Sequence, residues 1–276
     1  MDVVSKRAVI IGTDVTKGAR SPMLWNACFK HYGIKASMEP VDLNELNTVS
    51  FLKEATKDQN FIGGAVASPL KEIVAEFFQL EKVEFNEPKN CFFRDSSNKF
   101  KAVNTDTLAA VESINCHREL NNIKSICFLG TGAVSKSLAN NFKAMNVSKY
   151  VFGRSDNEKE IFESFGFKFL SYEYLTGLLK DFDLLVNCTS VGRDGREVLT
   201  LINKEDLLKV NKSILIFDVN YINSPSQLLR DSKEIGLECI DGSRMNLMQA
   251  ALAFNLANND IFDQNELLEI MVAAIS

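Results

Sequence analysis

Short apolar runs closed by glycine or asparagine recur along the chain and alternate with stretches of helical periodicity. Residues 7–12, Arg-Ala-Val-Ile-Ile-Gly, have no polar alternation and predict a strand buried on both faces. Pro22 near a start and Gly33 as a stop bracket a helix over 21–33. Residues 37–43 predict a second strand, 43–57 an amphipathic helix, 63–68 a strand opened by glycines, and 71–80 a helix after Pro69. Two short strands, 90–94 and 100–104, flank the turn sequence Asp95-Ser96-Ser97-Asn98.

A connecting helix is predicted from Thr105 to about Leu120, and the alternation then restarts. Strands are predicted at 124–130, 148–153, 167–170, 183–189, 213–220 and 237–242, with a helix over 133–145 and helical stretches between most of the others. Continuous apolar strands alternating with helices predict a parallel, doubly wound sheet. Residues 246–276 read as helical. The fold class is therefore α/β, in two units.

Composition narrows the function. The 276 residues are 46% hydrophobic and 24% charged, with a formal net charge of −5. A mildly acidic chain has no long-range attraction for nucleic acid or an anionic membrane, so any anionic ligand must be held by local groups. No apolar run reaches the ~20 residues that span a bilayer, and Gly12 interrupts the N-terminal run too early for a signal peptide. Six cysteines are present without a CxxC spacing, and only His31 and His117 could join them. No metal site is expected; reduced thiols in a cytoplasmic protein are.

One loop carries recognisable chemistry. Gly130-Thr131-Gly132-Ala133-Val134-Ser135 follows a predicted strand and opens a predicted helix. Gly130 suits a tight turn, and Gly132 allows close approach of a pyrophosphate to the helix N-terminus. Ser135 stands at the third glycine position of GxGxxG. The next strand ends at Gly153-Arg154-Ser155, where an NAD site would carry an acidic residue. A guanidinium there suits a 2′-phosphate, so NADP is expected, although Asp156 and Glu158 follow closely.

An ordered set of segments resembles the shikimate dehydrogenase family. Ala19-Arg20-Ser21-Pro22 with Trp25-Asn26 is similar to SxSPxxHN, and 65–71, Ala-Val-Ala-Ser-Pro-Leu-Lys, to NVTxPxK. Asn90-Cys91 and Asn104-Thr105-Asp106 resemble the family's NT and NTD segments, and Gly130-Thr131-Gly132-Ala133 its GxGG. Gly153-Arg154-Ser155, Asn187-Cys188-Thr189-Ser190-Val191-Gly192, Asp218-Val219-Asn220-Tyr221 and Gly242-Ser243-Arg244-Met245 with Gln249 resemble NRT, NxTPxG, DxxY and GxxMLxxQ.

The resemblance implies an N-terminal α/β substrate domain, 1–106 with 246–276, and a Rossmann-type doubly wound cofactor domain, 107–245. It implies reversible reduction of 3-dehydroshikimate to shikimate with NADP. Lys71 and Asp106 would form the proton-transfer pair, which hydride transfer from an alcohol requires. Ser21, Asn90, Asn104, Tyr221 and Gln249 would bind a shikimate-like polyol acid. Gly130, Thr131, Gly132, Ala133, Val134, Arg154, Ser155, Thr189, Ser190, Val191 and Gly242 would hold the cofactor. A monomer or homodimer is expected.

The chain departs from the pattern at Ala19, Ala65 and Ala67, where the family carries polar groups facing substrate carboxylate and hydroxyls. These alanines favour a rival reading: a related oxidoreductase acting on quinate or on an aminated or uncharged relative. A non-catalytic NADP-binding sensor is the third reading, and retention of both Lys71 and Asp106 counts against it.

Overall fold

The computed structural model describes residues 5–79, 85–192, 198–221 and 225–276. The chain divides into two compact units, Met1–Asp106 with Leu247–Ser276, and Thr107–Asn246. In chain order the first stretch forms β1 (Lys6–Gly12), α1 (Ser21–His31), β2 (Ala36–Asp42), α2 (Glu45–Ala55), β3 (Phe61–Val66), α3 (Lys71–Phe78), β4 (Cys91–Arg94), β5 (Phe100–Val103) and α4 (Thr105–Asn115). There follow β6 (Ser125–Leu129), α5 (Ala133–Phe142), β7 (Ser148–Gly153), α6 (Lys159–Ser164), β8 (Lys168–Ser171), α7 (Leu175–Leu178) and β9 (Leu184–Asn187). The chain ends with α8 (Lys204–Leu207), β10 (Leu215–Asp218), α9 (Gln227–Glu234), β11 (Glu238–Asp241), α10 (Ser243–Ala257) and α11 (Gln264–Ile275).

The sheet of the first unit has the order β2-β1-β3-β4-β5. Its first three strands are parallel, and β4 and β5 form an antiparallel hairpin on β3. Both faces of β1 are covered from Ala8 onward, which explains the unbroken apolar run Ala8–Ile11. Ala8 and Ile10 pack with Leu24, Trp25 and Phe29 of α1, whereas Val9 and Ile11 pack with Leu52 of α2 and Val74 of α3.

The C-terminal helices complete the first of these layers, with Ala250, Phe254, Leu267 and Met271 in the same cluster as Trp25. The indole lies edge-on to Phe254 at 5.4 Å, and its Nε1 donates to the Ala250 carbonyl at 3.2 Å. A fully buried tryptophan thus keeps its one polar group bonded. Asn26 is structural as well: its amide donates to the Met38 carbonyl at 3.0 Å and accepts from the Met38 N–H at 2.8 Å.

Two glycines let β3 lie between its neighbours. The pairing of β1 with β3 shifts register between Arg7 and Ala8, beside Gly63, which has φ of 126°. A Cβ at Gly63 would collide with the backbone of Phe92 and Phe93, and one at Gly64 with the Val9 carbonyl. The hairpin turn after β4 is fixed by Asp95, whose Oδ1 accepts from the N–H groups of Ser97 at 2.9 Å and Lys99 at 3.0 Å. Lys101, beside its other oxygen at 2.9 Å, and these donors hold the Asp95 carboxyl well below the usual carboxylate range.

The second unit is built on a six-stranded, wholly parallel sheet of order β8-β7-β6-β9-β10-β11. In order of appearance this is 3-2-1-4-5-6, the doubly wound arrangement of Rossmann-type domains. Every residue of β6, β9 and β10 is buried. One core layer joins Cys127, Leu129, Phe152, Phe182 and Ile216, and on the other side Phe128 meets Phe167 at 5.1 Å and Phe142 at 6.1 Å.

Some element limits differ from those predicted. The connecting helix stops at Asn115 rather than near Leu120. The predicted end of the third helix, Leu80, lies outside the described residues. The C-terminal helical region starts at Ser243 and breaks between Ala257 and Gln264. Asn259 and Asp260 there adopt positive φ, 64° and 57°, which asparagine and aspartate tolerate better than most residues. Asn255 bonds both backbone groups of Phe262, and Asp263 caps the helix that follows. No described helix is long and apolar enough to cross a membrane.

The close approach at β3 makes a stability prediction. Gly64→Ala should destabilise the protein by at least ~2–3 kcal/mol, because backbone must move to admit the methyl group. Urea denaturation would measure it; a loss below about 0.5 kcal/mol would show that β1 and β3 are not packed this tightly.

Candidate active site

In the first unit, α3 and α4 each begin with a residue that completes an ion pair. Lys71 opens α3 and Asp106 is the second residue of α4. Lys71 Nζ lies 2.6 Å from Asp106 Oδ2, and each side chain is only 14% exposed. Leu70, Val74 and Ala75 are buried and anchor the start of α3. The Lys71 carbonyl accepts from the Lys89 N–H at 3.0 Å, and the Asn90 carbonyl from the Val66 N–H at 2.8 Å. The segment before β4 is thereby tied to both β3 and the helix that carries the lysine.

Asn90, Thr105 and Gln249 form a buried polar knot beside the pair in sequence. The Asn90 amide donates to Thr105 Oγ1 at 2.9 Å and to Gln249 Oε1 at 3.2 Å, and its Oδ1 accepts from the Thr105 N–H at 2.6 Å. Thr105 Oγ1 donates to the Gln249 carbonyl at 3.1 Å. Thr105 is fully buried and directly precedes Asp106, so the knot fixes the first turn of α4. Asn104 is buried and donates to the Pro88 carbonyl at 2.8 Å.

Ser21 is buried at the first position of α1. Ala65 is buried, and Ala19 and Ala67 are partly buried against the core cluster that contains Trp25. Tyr221 belongs to the second unit, where it is 41% exposed. Thr105 is a member that sequence reasoning did not single out, although the Asn104-Thr105-Asp106 run contains it.

In the second unit, β6 and β9 are neighbours at the point where strand order reverses, and ligands of such sheets bind beyond the carboxyl ends of these strands. Gly130 follows β6 with φ of 94°, and a Cβ there would lie 2.7 Å from Thr189 Cγ2. The loop after β6 therefore abuts the loop of 188–192 after β9. A Cβ at Gly132 would meet nothing within 4 Å, and Gly132 caps α5 with no side chain bonded across its first turn. Ala133 and Val134, which follow it, are partly buried. Open space beside free N–H groups at a helix N-terminus suits a phosphate. Ser135, at the third glycine position, is fully buried.

The remaining predicted cofactor residues lie at the same edge of this sheet. Thr131 is in contact distance of the Gly153 position, where an added Cβ would lie 3.0 Å from its methyl group. Arg154 and Ser155 follow β7 and are exposed. Burial pushes the Tyr172 hydroxyl up to about 12, and the Arg154 charge pulls against that rise. Glu158 lies 3.5 Å from Lys136 on α5, so part of the acidic character near Arg154 is met by a lysine that sequence reasoning did not single out. Thr189 and Val191 are partly buried and Ser190 exposed. Gly242 is buried against the Val219 carbonyl, and its N–H donates to Asn220 at 3.0 Å.

The cysteines are free thiols, and burial pushes Cys28 up to about 12. Among the described residues no group of three or more His, Cys, Asp or Glu side chains could hold a metal ion.

The chain is similar to known proteins in sequence and in fold. Residues 10–84 match the shikimate dehydrogenase substrate binding domain. Shikimate dehydrogenase (NADP(+)) of Pyrococcus abyssi is 28% identical over 251 residues, covering 90% of this chain and 90% of that protein. The crystal structure of shikimate dehydrogenase from Aquifex aeolicus superposes with a TM-score of 0.83 at 21% identity, covering 99% of each chain. Quinate dehydrogenase from Corynebacterium glutamicum, solved in complex with NAD, has a TM-score of 0.81 at 19% identity and covers 98% of this chain and 99% of its own. The two structures share the fold, and both the N-terminal match and the near-full-length likeness in sequence are to shikimate dehydrogenases.

Proposed function

We propose that this protein is an NADP-dependent dehydrogenase that interconverts shikimate and 3-dehydroshikimate, with Lys71 and Asp106 as its proton-transfer pair. The observation that carries the proposal is the 2.6 Å contact of two largely buried charged side chains, each at the start of a helix. Oxidation of a secondary alcohol removes a hydride from carbon and a proton from oxygen. NADP would supply the hydride acceptor for that oxidation, and NADPH the hydride donor for the reverse reaction.

On reduction the Lys71 ammonium donates a proton to the ketone oxygen and becomes the neutral amine; on oxidation that neutral amine takes the hydroxyl proton and becomes the ammonium. Asp106 accepts one of the amine's hydrogens and so fixes where the others point. The knot of Asn90, Thr105 and Gln249 holds Asp106 in turn, with Ser21 and Asn104 completing the polar groups of the first unit assigned to the acid substrate. Residues 130–134 receive the pyrophosphate, Arg154 and Ser155 the 2′-phosphate, and Thr189, Ser190, Val191 and Gly242 the rest of the dinucleotide. The NADP(+) in the name of the Pyrococcus relative supports the cofactor assignment. A cytoplasmic monomer or homodimer fits this activity.

A second reading is favoured by three side chains. Ala19, Ala65 and Ala67 offer methyl groups where family members carry hydrogen-bonding ones, and all three pack against the core cluster. Another polyol, such as quinate, or an aminated or uncharged relative would then be the better substrate.

Lys71→Ala should lower turnover roughly 10²–10⁴-fold and leave NADPH affinity nearly unchanged. Steady-state kinetics with shikimate and NADP, beside a fluorescence titration of NADPH, measure both; more than half the wild-type rate would remove Lys71 from the mechanism.

The cofactor assignment is tested by Gly132→Ala and Arg154→Ala. The first places a methyl group in open space, so stability should change by no more than about 0.5 kcal/mol while NADPH binds more weakly. The second should weaken NADP and leave NAD nearly constant. Unchanged NADPH affinity in Gly132→Ala, or equal loss of both cofactors in Arg154→Ala, would contradict the assignment.

The alanines predict a high KM for shikimate. Ala19→Ser combined with Ala67→Thr should lower it roughly 5- to 150-fold, from two restored hydrogen bonds of ~0.5–1.5 kcal/mol each if they add. A wild-type KM already in the low micromolar range would mean that other groups replace the missing donors. A double variant no better than wild type would favour the second reading.

A further inference from the structure

Asp218 has no part in the chemistry above, yet it is a fully buried carboxylate at the end of β10, beside the crevice of the second unit. Its Oδ1 accepts from Asn187 Nδ2 at 3.1 Å, from the Asn220 N–H at 3.1 Å and from Asn220 Nδ2 at 2.8 Å. Its Oδ2 accepts from Ser226 Oγ at 2.6 Å. All four donors are neutral. Burial raises this carboxyl above the ordinary aspartate range, and the hydrogen bonds from Ser226, Asn220 and Asn187 pull it back. A buried charge without a cation is costly unless every lone pair is used. A carboxylate accepts at both oxygens, which an amide in its place cannot do.

The donors that surround Asp218 also grip the loop after β9. Asn187 Oδ1 accepts from the Thr189 N–H at 3.1 Å and from its Oγ1 at 2.7 Å. Asn187 Nδ2 reaches the Val191 carbonyl at 3.2 Å, and Asn220 Nδ2 reaches the carbonyls of Thr189 at 3.0 Å and Val191 at 3.3 Å. Gly192 adopts φ of 99°, and a Cβ there would lie 2.8 Å from Ser226 Cβ. These bonds to 189–191 are thus each made by a side chain that itself bonds the same carboxylate.

The sheet order tells what that loop does. Arg154 follows β7 and the glycine loop follows β6, so the adenosine end of a dinucleotide falls on the β7 side of β6. The loop of 189–192 follows β9, on the other side of β6. We propose that Asp218 is a positioning residue for the nicotinamide end of the dinucleotide, acting through Asn187 and Asn220 to fix 189–192. This rests on the dinucleotide reading of the second unit given above.

The test uses the intact protein and two probes, NADPH and 2′,5′-ADP, the second carrying the phosphorylated adenosine without nicotinamide. Dissociation constants are measured by calorimetry for wild type, Asp218→Asn and Asn220→Ala, with circular dichroism to follow folding. Asp218→Asn faces an amide N–H toward existing donors, so NADPH should bind about tenfold more weakly or worse, while 2′,5′-ADP stays within about twofold. Asn220→Ala should give the same split with a smaller change. Equal loss of both probes, or no loss of either, overturns the proposal. Should Asp218→Asn fail to fold, Asn220→Ala decides: unchanged NADPH affinity overturns it. A wild type that binds neither probe removes the dinucleotide reading and this proposal together, an outcome distinct from a wild type that binds both with variants that match it.

Discussion

The contact between Lys71 and Asp106 joins two charges that are 86% removed from water by the ends of two helices, the complement of their 14% exposure. Such a pair is costly to desolvate and more costly to break, since removal of one partner leaves the other charge buried and alone. The surrounding structure therefore has to hold both residues in register. The glycine pair in β3, the hairpin turn at Asp95 and the knot of Asn90, Thr105 and Gln249 all serve that end. They fix, in turn, the strand before Lys71, the strands that lead to Asp106, and the first turn of its helix. The C-terminal helices contribute Gln249 to the knot and Phe254 to the Trp25 core, so this unit is incomplete without the end of the chain.

On the proposed reading the second unit meets a different problem, the holding of an anionic ligand by a chain of net negative charge. It would do so with backbone rather than a basic surface. The turn at Gly130, the open side of Gly132 and the N-terminus of α5 supply directed N–H groups; the cations named beside them are Arg154 after β7 and Lys136 on α5, the latter already beside Glu158. The neighbouring loop is shaped by a carboxylate whose donors from Asn187, Asn220 and Ser226 are all neutral, which makes its geometry sensitive to each of them.

The parts of this account that were legible in the sequence are those set by local chemistry. Strands such as β1 and β6 are buried on both faces over Ala8–Ile11 and Ile126–Leu129, so those residues are apolar without interruption and stand out. The glycine loop shows in a run of six residues. The ion pair does not, because its members are 35 residues apart and each alone reads as an ordinary surface or capping residue; only resemblance to a family joined them. Thr105 and Asp218 were less visible still. Thr105 bonds Gln249 across 144 residues, and Asp218 bonds Asn187 across 31, distances over which periodicity carries no information. The break after α10 was missed for another reason: Asn258-Asn259-Asp260 is polar but contains neither glycine nor proline, the usual signs of a stop.

The claim that Lys71 and Asp106 act as one unit is tested most directly by a double-mutant cycle on kcat for shikimate oxidation, with Lys71→Met, Asp106→Asn and the combination. Residues that act as a unit give strongly non-additive losses. The double variant should be no slower than the slower single variant within about threefold, a margin of well under one tenfold step. Losses that multiply, so that the double variant falls to the product of the two single effects, would show two independent residues and contradict the account.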